Sequence, residues 1–242
     1  MSKGDILHNA LLVSVRLVRY NLKIIFANKF VYFFLAALFV FLLVLGINLF
    51  SAEAQPTEAD IFWLLLVPGI LLIFYPATFG IQNDFDSRML ELLFGIPNYR
   101  YKVWLLRLLL IFVSTFVILL IFSAFSAFAL TVIPVLEMVL HLMFPIAFLG
   151  SLAFMMSTII RNGSGTAVVM VILGLIFLIA RGVFQDSPEW DLFLNPFDIP
   201  QNINEVAWVG IIIENRIYLA AGSILTILTG LLNLQKREKF LF

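Results

Sequence analysis

Six long stretches of the chain are nearly free of charge, at residues 31–50, 61–82, 104–132, 138–160, 166–184 and 217–234. Each is close to the roughly 20 apolar residues that a helix needs to cross a hydrocarbon core of about 30 Å. Runs such as Phe33 to Leu45 stay apolar on consecutive positions, whereas a transmembrane strand alternates in polarity. The pattern therefore predicts an all-α polytopic membrane protein with six transmembrane helices, the third unusually long. The first run is not expected to be a cleavable signal peptide: a longer polar and basic stretch precedes it, and no small-residue cleavage site interrupts Gly46 to Phe50.

The stretch ahead of the first span has a different pattern. From Asp5 to Asn28, Arg16, Arg19 and Lys23 fall on one helical face and Leu7, Leu11, Val18, Leu22 and Ile25 on another. A helix of this kind lies in the membrane interface, its basic face toward lipid phosphates. The expected organisation is an amphipathic interfacial elbow helix over residues 1–29 and a six-helix transmembrane domain over 30–242.

Composition agrees with this division. Of 242 residues, 62% are hydrophobic and 12% charged, against roughly 45–50% and about 25% in soluble domains. Disorder, nucleic-acid binding and a secreted disulfide scaffold are poor explanations. With no cysteine, thiolate metal sites and thiol nucleophiles are excluded. The charge balance, 15 basic against 15 acidic residues, becomes informative once each charge is placed. Alternating the spans puts every Lys and Arg except Arg181 and Arg216 on one side, and Glu53, Glu58, Asp60, Glu137, Asp186, Glu189, Asp191, Asp198, Glu205 and Glu214 on the other. Because basic residues near span ends are retained inside, both termini are expected in the cytoplasm of a multi-pass cell-membrane protein, in bacteria the inner membrane.

Two connections stand out. On the expected cytoplasmic side, Asp84, Asp86, Arg88 and Glu91 surround Met89, Leu90, Leu92, Leu93 and Phe94, and Gly95 and Pro97 end the segment. A short helix with an apolar patch rimmed by charge suits docking to a partner. The same residues also suit a reentrant turn that packs Leu90, Leu93 and Phe94 beneath the bundle. On the outer side, residues 185–208 carry Trp190, Phe193, Phe197 and Trp208 among acids and prolines, which reads as an interfacial aromatic belt or as short helices forming an external gate.

The order of these elements resembles the membrane subunit of ABC-2 type transporters. The similarity lies in the basic amphipathic N-terminus and two spans, then Asp84-Phe-Asp-Ser-Arg-Met-Leu-Glu-Leu-Leu-Phe-Gly-Ile-Pro97, Leu194-Asn-Pro-Phe197 before the last span, and the charged end Gln235-Lys-Arg-Glu-Lys239. The haem-exporter subunit of cytochrome c maturation has a related layout. The resemblance implies a coupling helix at about 84–97 seated in an ATP-binding cassette ATPase subunit, with Asp84, Asp86, Arg88, Leu90, Glu91, Leu93, Phe94 and Pro97 at the contact. It also implies a second permease subunit, identical or similar, and an outer gate including Asn195, Pro196 and Phe197. ATP and Mg would be held by the partner, for no Walker motif occurs in this chain: Arg161-Asn-Gly-Ser-Gly165 has neither a following Lys-Ser or Lys-Thr nor a preceding strand.

Within the spans there is little chemistry. Arg107 can snorkel to the cytoplasmic side and Arg181 outward, while Glu214 and Arg216 at the mouth of the sixth span either pair or stay wet. Glu137 and His141, four apart, share a helical face, but two ligands without a third make a poor metal site. Neither a Ser/His/Asp arrangement nor a carboxylate pair is found, so the chain itself is not expected to be an enzyme. Pro68, Pro76 and Pro145 are expected to kink the second and fourth spans, and small residues at Ser123, Ala127, Gly150, Ser151 and Ala153 to allow close helix contact. The expected function is that of an ABC-2 permease subunit in contact with lipid, an exporter driven by ATP hydrolysis in its partner. The alternative is an ATP-independent channel, secondary carrier or assembly scaffold.

Overall fold

The computed structural model describes residues 30–50, 56–86 and 100–234. Within these the chain forms six long helices: α1 (Phe30–Phe50), α2 (Glu58–Asp86), α3 (Leu106–Ala129), α4 (Val135–Ile160), α5 (Gly163–Ala180) and α6 (Glu205–Asn233). All six are long and apolar enough to cross a membrane, and no strand occurs among the described residues. Helices are what such a sequence must form in lipid, where every backbone N–H and C=O has to be satisfied within its own segment. The interfacial helix expected over 1–29, with Arg16, Arg19 and Lys23, lies outside the described residues.

Helix ends are fixed by local chemistry. Thr57 and Asp60 form a reciprocal cap at the start of α2: the Asp60 carboxylate accepts the Thr57 N–H at 2.8 Å while Asp60 N–H donates to Thr57 Oγ1 at 3.3 Å. Asn162 caps α5 by accepting from Gly165 N–H at 3.1 Å, and Asn204 caps α6 by accepting from Val206 N–H at 2.9 Å. The α4–α5 connection takes only two residues because Arg161 adopts the left-handed conformation (φ 61°) and donates its N–H to Ser157 O at 3.0 Å. Gly163 follows, with its N–H on Gln82 Oε1 at 2.5 Å. A Cβ there would run into the Phe79 and Gln82 side chains, so this close approach of α5 to α2 requires glycine.

Two helices form the centre. α4 packs against α2, α3, α5 and α6, and α2 against α1, α3, α4 and α5. The most apolar stretches of α2 and α4 are 67% and 61% buried, against 17% in both α5 and α6, which pack at the periphery. Ile61, Phe62, Leu65 and Ile73 of α2 meet Leu119 of α3 and Met138, Leu142 and Ile146 of α4. Phe41 of α1 stacks on Phe122 of α3 at 4.5 Å between ring centres. In lipid there is no hydrophobic gain from joining apolar helices, so this close packing is itself the driving force. Glycines permit it: a Cβ on Gly69 would strike Ile146, on Gly150 Ile73, and on Gly222 Phe148. α2 and α4 run unbroken through Pro68, Pro76 and Pro145.

Three differences from the sequence reading change how the elements are divided. The third span is divided into a π-helical turn, Arg100–Leu105, and α3. The fifth helix stops at Ala180 rather than 184 and gives way to two short 3₁₀ turns, Phe184–Asp186 and Pro188–Trp190. The sixth helix begins at Glu205, well before 217, because Asn204 provides a cap there. The outer segment is therefore 181–204, shifted toward the N-terminus from the expected 185–208 and not shortened, and Trp208 is a helix residue. Arg107 is also placed differently: it is buried with its guanidinium 4.8 Å from the Trp104 ring, packed in the bundle.

Candidate functional site

A buried polar cluster occupies the acidic end of the bundle, where the segment after α5 folds back between the helices. Leu192 and Phe193 of this segment join the main apolar core, which carries Asp191 and Asn195 inward with them. Both side chains then serve the backbone. Asp191 accepts the Phe193 N–H at 2.9 Å on one oxygen and the Arg181 Nε–H at 3.0 Å on the other. Asn195 accepts the Phe197 N–H at 3.1 Å and donates to Ala59 O, at the start of α2, at 3.0 Å. The turn is held by its own side chains and then fastened to α2.

α6 makes the second attachment. Asn215, 1% exposed, donates to the carbonyls of Glu189 at 2.9 Å and Asp191 at 2.8 Å. Its own carbonyl accepts Arg216 Nη1 at 2.8 Å. Arg216 is 6% exposed. It reaches Leu194 O with Nη2 at 3.1 Å and His141 Nδ1 with Nε at 3.3 Å. About two turns earlier on the same helix, Trp208 Nε1 donates to Pro196 O at 3.0 Å. The fork of Arg216 thus spans α4, α6 and the outer segment, a use of fixed planar donors that lysine could not reproduce.

The structure decides between the two outcomes expected for Arg216: it does not stay wet but pairs with its neighbours, lying three turns into α6 with two carbonyls and a ring nitrogen as acceptors. Trp208 is buried rather than part of an interfacial belt, whereas Trp190 is 57% exposed and stacks on Tyr218 at 4.6 Å. His141 faces inward: its Nδ1 accepts from Arg216, its ring edge meets Phe197 at 6.0 Å, and Glu137 stands 3.9 Å from Nε2. Asn195, Pro196 and Phe197, expected at an outer gate, are brought together here. The α6 residues that hold the outer segment, Asn215 on Glu189 O and Asp191 O, Arg216 on Leu194 O and Trp208 on Pro196 O, carry no motif, and only the mapped fold could reveal them.

The chemistry available to this cluster is that of a latch. Every polar side chain in it is engaged with a neighbour, and no group of three His, Cys, Asp or Glu able to hold a metal occurs among the described residues. Within the cluster, no hydroxyl nucleophile sits beside a base.

At the opposite, basic end, α2 continues as a helix to Asp86, so the backbone at Asp84 and Asp86 is helical. The other residues of the expected coupling contact, Arg88, Leu90, Glu91, Leu93, Phe94 and Pro97, lie outside the described residues. Here Ile81 of α2 and Trp104, just ahead of α3, form a small core with Leu108, Phe154, Leu231 and Leu234. Asn233 of α6 donates to Thr158 O of α4 at 2.7 Å.

A third feature lies between the two ends. α1, α2, α4 and α5 leave a groove of about 440 Å³ open toward lipid, lined by side chains such as Val67, Phe74, Met170 and Leu178, with Trp63 and Phe193 at its acidic end.

No family model, curated protein or solved structure matches the chain.

Proposed function

We propose that the chain is the permease subunit of an ABC-2 type transporter, both termini cytoplasmic, which exports its substrate when a partner ATPase moves the helices. The observation that carries this reading is the joined base of α2 and α3. α2 runs on to Asp86, beyond the apolar stretch that ends at Gln82, and α3 is entered from Arg100 through a π-helical turn. The two are packed together there through Ile81, Trp104 and Leu108. A displacement applied to the segment between them would pass into α2 and α3 as one rigid movement. α2 is in contact with α1, α4 and α5 as well, so that movement would reach most of the bundle.

Two further observations support the reading. The sequence order of the elements resembles that of the ABC-2 membrane subunits, including the Leu-rich segment 84–97 and the Leu194-Asn-Pro-Phe197 stretch. The interior also carries no carboxylate of the kind an ion-driven carrier uses at mid-membrane: among the described residues, the buried charged side chains are Arg107, Asp191 and Arg216, and Asp191 belongs to the outer segment and is ion-paired to Arg181.

The test is co-purification. The full chain expressed with its neighbouring ATP-binding protein should bring that ATPase down. Leu90→Arg with Glu91→Lys should abolish the association while the protein still elutes as a folded species. Association that survives both changes overturns the coupling assignment. Transport in liposomes driven by an ion gradient without any ATPase would establish the secondary-carrier alternative instead.

A further inference from the structure

We infer that the groove between α1, α2, α4 and α5 is a binding site for one acyl chain of a phospholipid in the leaflet at the acidic end, with the lipid phosphate received by Arg181. The groove has the right chemistry throughout: its lining side chains are all apolar, the Trp63 indole being the single one with a hydrogen-bonding atom. Its volume of about 440 Å³ lies within the roughly 300–1,000 Å³ of ordinary ligand sites. Along α2 it extends from Trp63 to Phe74, about 16 Å at 1.5 Å per residue, which matches one half of a hydrocarbon core of about 30 Å. One leaflet's chain fits that length.

The end of the groove supplies the headgroup contact. Arg181 follows Leu178 by one turn at the end of α5, and its guanidinium lies 4.5 Å from the centre of the Trp63 ring, a groove wall. Its Nε is committed to Asp191 at 3.0 Å, and its Nη groups have no hydrogen-bond partner among the described residues. The side chain is 36% exposed. A guanidinium stacked on tryptophan, pinned by one carboxylate and presenting two further donors at the membrane interface, is suited to a phosphate. The apolar wall and the cation are continuous, which is the signature of an amphipathic anion and not of a free phosphate or a plain hydrocarbon. This inference stands independently of any ATPase partner.

Gly174 allows a clean test. It lines the groove, and a Cβ placed there meets nothing within 4 Å, so a large side chain would fill the site without disturbing the bundle. Gly46, which also has open space around it and lies outside the groove, is the control. The full chain purified in detergent is delipidated, loaded with 1-palmitoyl-2-oleoyl-phosphatidylglycerol and examined by native mass spectrometry. The unaltered protein and Gly46→Phe should each retain one lipid through collisional activation. Gly174→Phe, or the smaller Gly174→Leu if the first fails to fold, should lose it, and Arg181→Gln should weaken retention about tenfold, the equivalent of one charge-assisted contact. Equal retention in the groove-filling variants and the control overturns the site and marks the lipid as annular. Loss with Gly174→Phe but none with Arg181→Gln overturns the phosphate contact.

Discussion

Arg216 of α6 donates its Nε–H to His141 Nδ1 of α4 across 3.3 Å, within the membrane-spanning length of both helices. The same guanidinium holds Leu194 O and Asn215 Oδ1, so one side chain closes α4, α6 and the outer segment onto each other. Removing it strands three buried acceptors, each costing about 1–3 kcal/mol when left unpaired. Arg216→Ala is expected to lower the thermal midpoint of the detergent-solubilised chain markedly, and Arg216→Lys to recover only part, since an ammonium cannot reproduce the fork. A midpoint unchanged in Arg216→Ala would show that the latch contributes no stability.

The direction of that hydrogen bond sets the histidine tautomer. A nitrogen that accepts from arginine carries no proton, which leaves the ring N–H on Nε2, facing Glu137 at 3.9 Å. Nitrogen chemical shifts of labelled histidine at neutral pH are expected to report the Nε2–H tautomer for His141, and to lose that signature in Arg216→Leu. An Nδ1–H ring in the unaltered protein would mean that the pair is arranged otherwise.

Trp208 and Trp190 sit twelve and six residues after Pro196 and Phe184 respectively, yet their roles diverge. Trp208 donates to Pro196 O and is 3% exposed; Trp190 is open to its surroundings. Trp208→Phe should therefore cost about 1–3 kcal/mol by orphaning a buried carbonyl and raise protease cleavage within 185–204 from the acidic side. Trp190→Phe, which preserves the aromatic face toward Tyr218, should do neither. Equal cleavage of the two variants would sink the distinction.

The six spans were legible because a bilayer imposes length and apolarity on a contiguous segment, and both are properties of sequence alone. Their ends were less so. α6 starts at Glu205 because the Asn204 side chain caps it, but Trp208, Glu214 and Arg216 made the stretch read as a polar outer loop. The Asn195-Pro196 turn was visible as a motif. Its partners were not: Arg216 meets a histidine 75 residues away, and no local pattern encodes that pairing. Trp190 and Trp208 show the same limit, since the same residue type is exposed in a 3₁₀ turn stacked on Tyr218 in one case and buried at the start of α6 against Pro196 O in the other.

α6 offers an internal comparison for packing. Gly222 faces Phe148 so closely that a Cβ would collide with the ring, whereas Gly210 on the same helix has nothing within 4 Å. Gly222→Leu is expected to destabilise the bundle by about 1–3 kcal/mol through overpacking. Gly210→Leu should be neutral or mildly stabilising, because leucine is the better helix former. Thermal unfolding in detergent reads both, and a Gly222→Leu protein as stable as Gly210→Leu would mean that α6 is not seated on α4 through this contact.

Near the same contact, the hydroxyls of Thr226 and Ser151 lie 2.8 Å apart across the α4–α6 interface. Each also has a carbonyl of its own helix in reach: Gly222 O at 2.9 Å for Thr226 and Phe148 O at 2.9 Å for Ser151. Losing the cross-helix bond therefore leaves neither hydroxyl without a partner, which limits its value. Interhelical hydrogen bonds in membranes average about 0.6 kcal/mol by double-mutant cycles, and local back-bonding of this kind is one physical reason. A cycle of Thr226→Val, Ser151→Ala and the double variant should give a coupling of about 0.6 kcal/mol and no more than about 1.7. A coupling well above that range would show that the two hydroxyls act as part of a larger network joining α4 to α6.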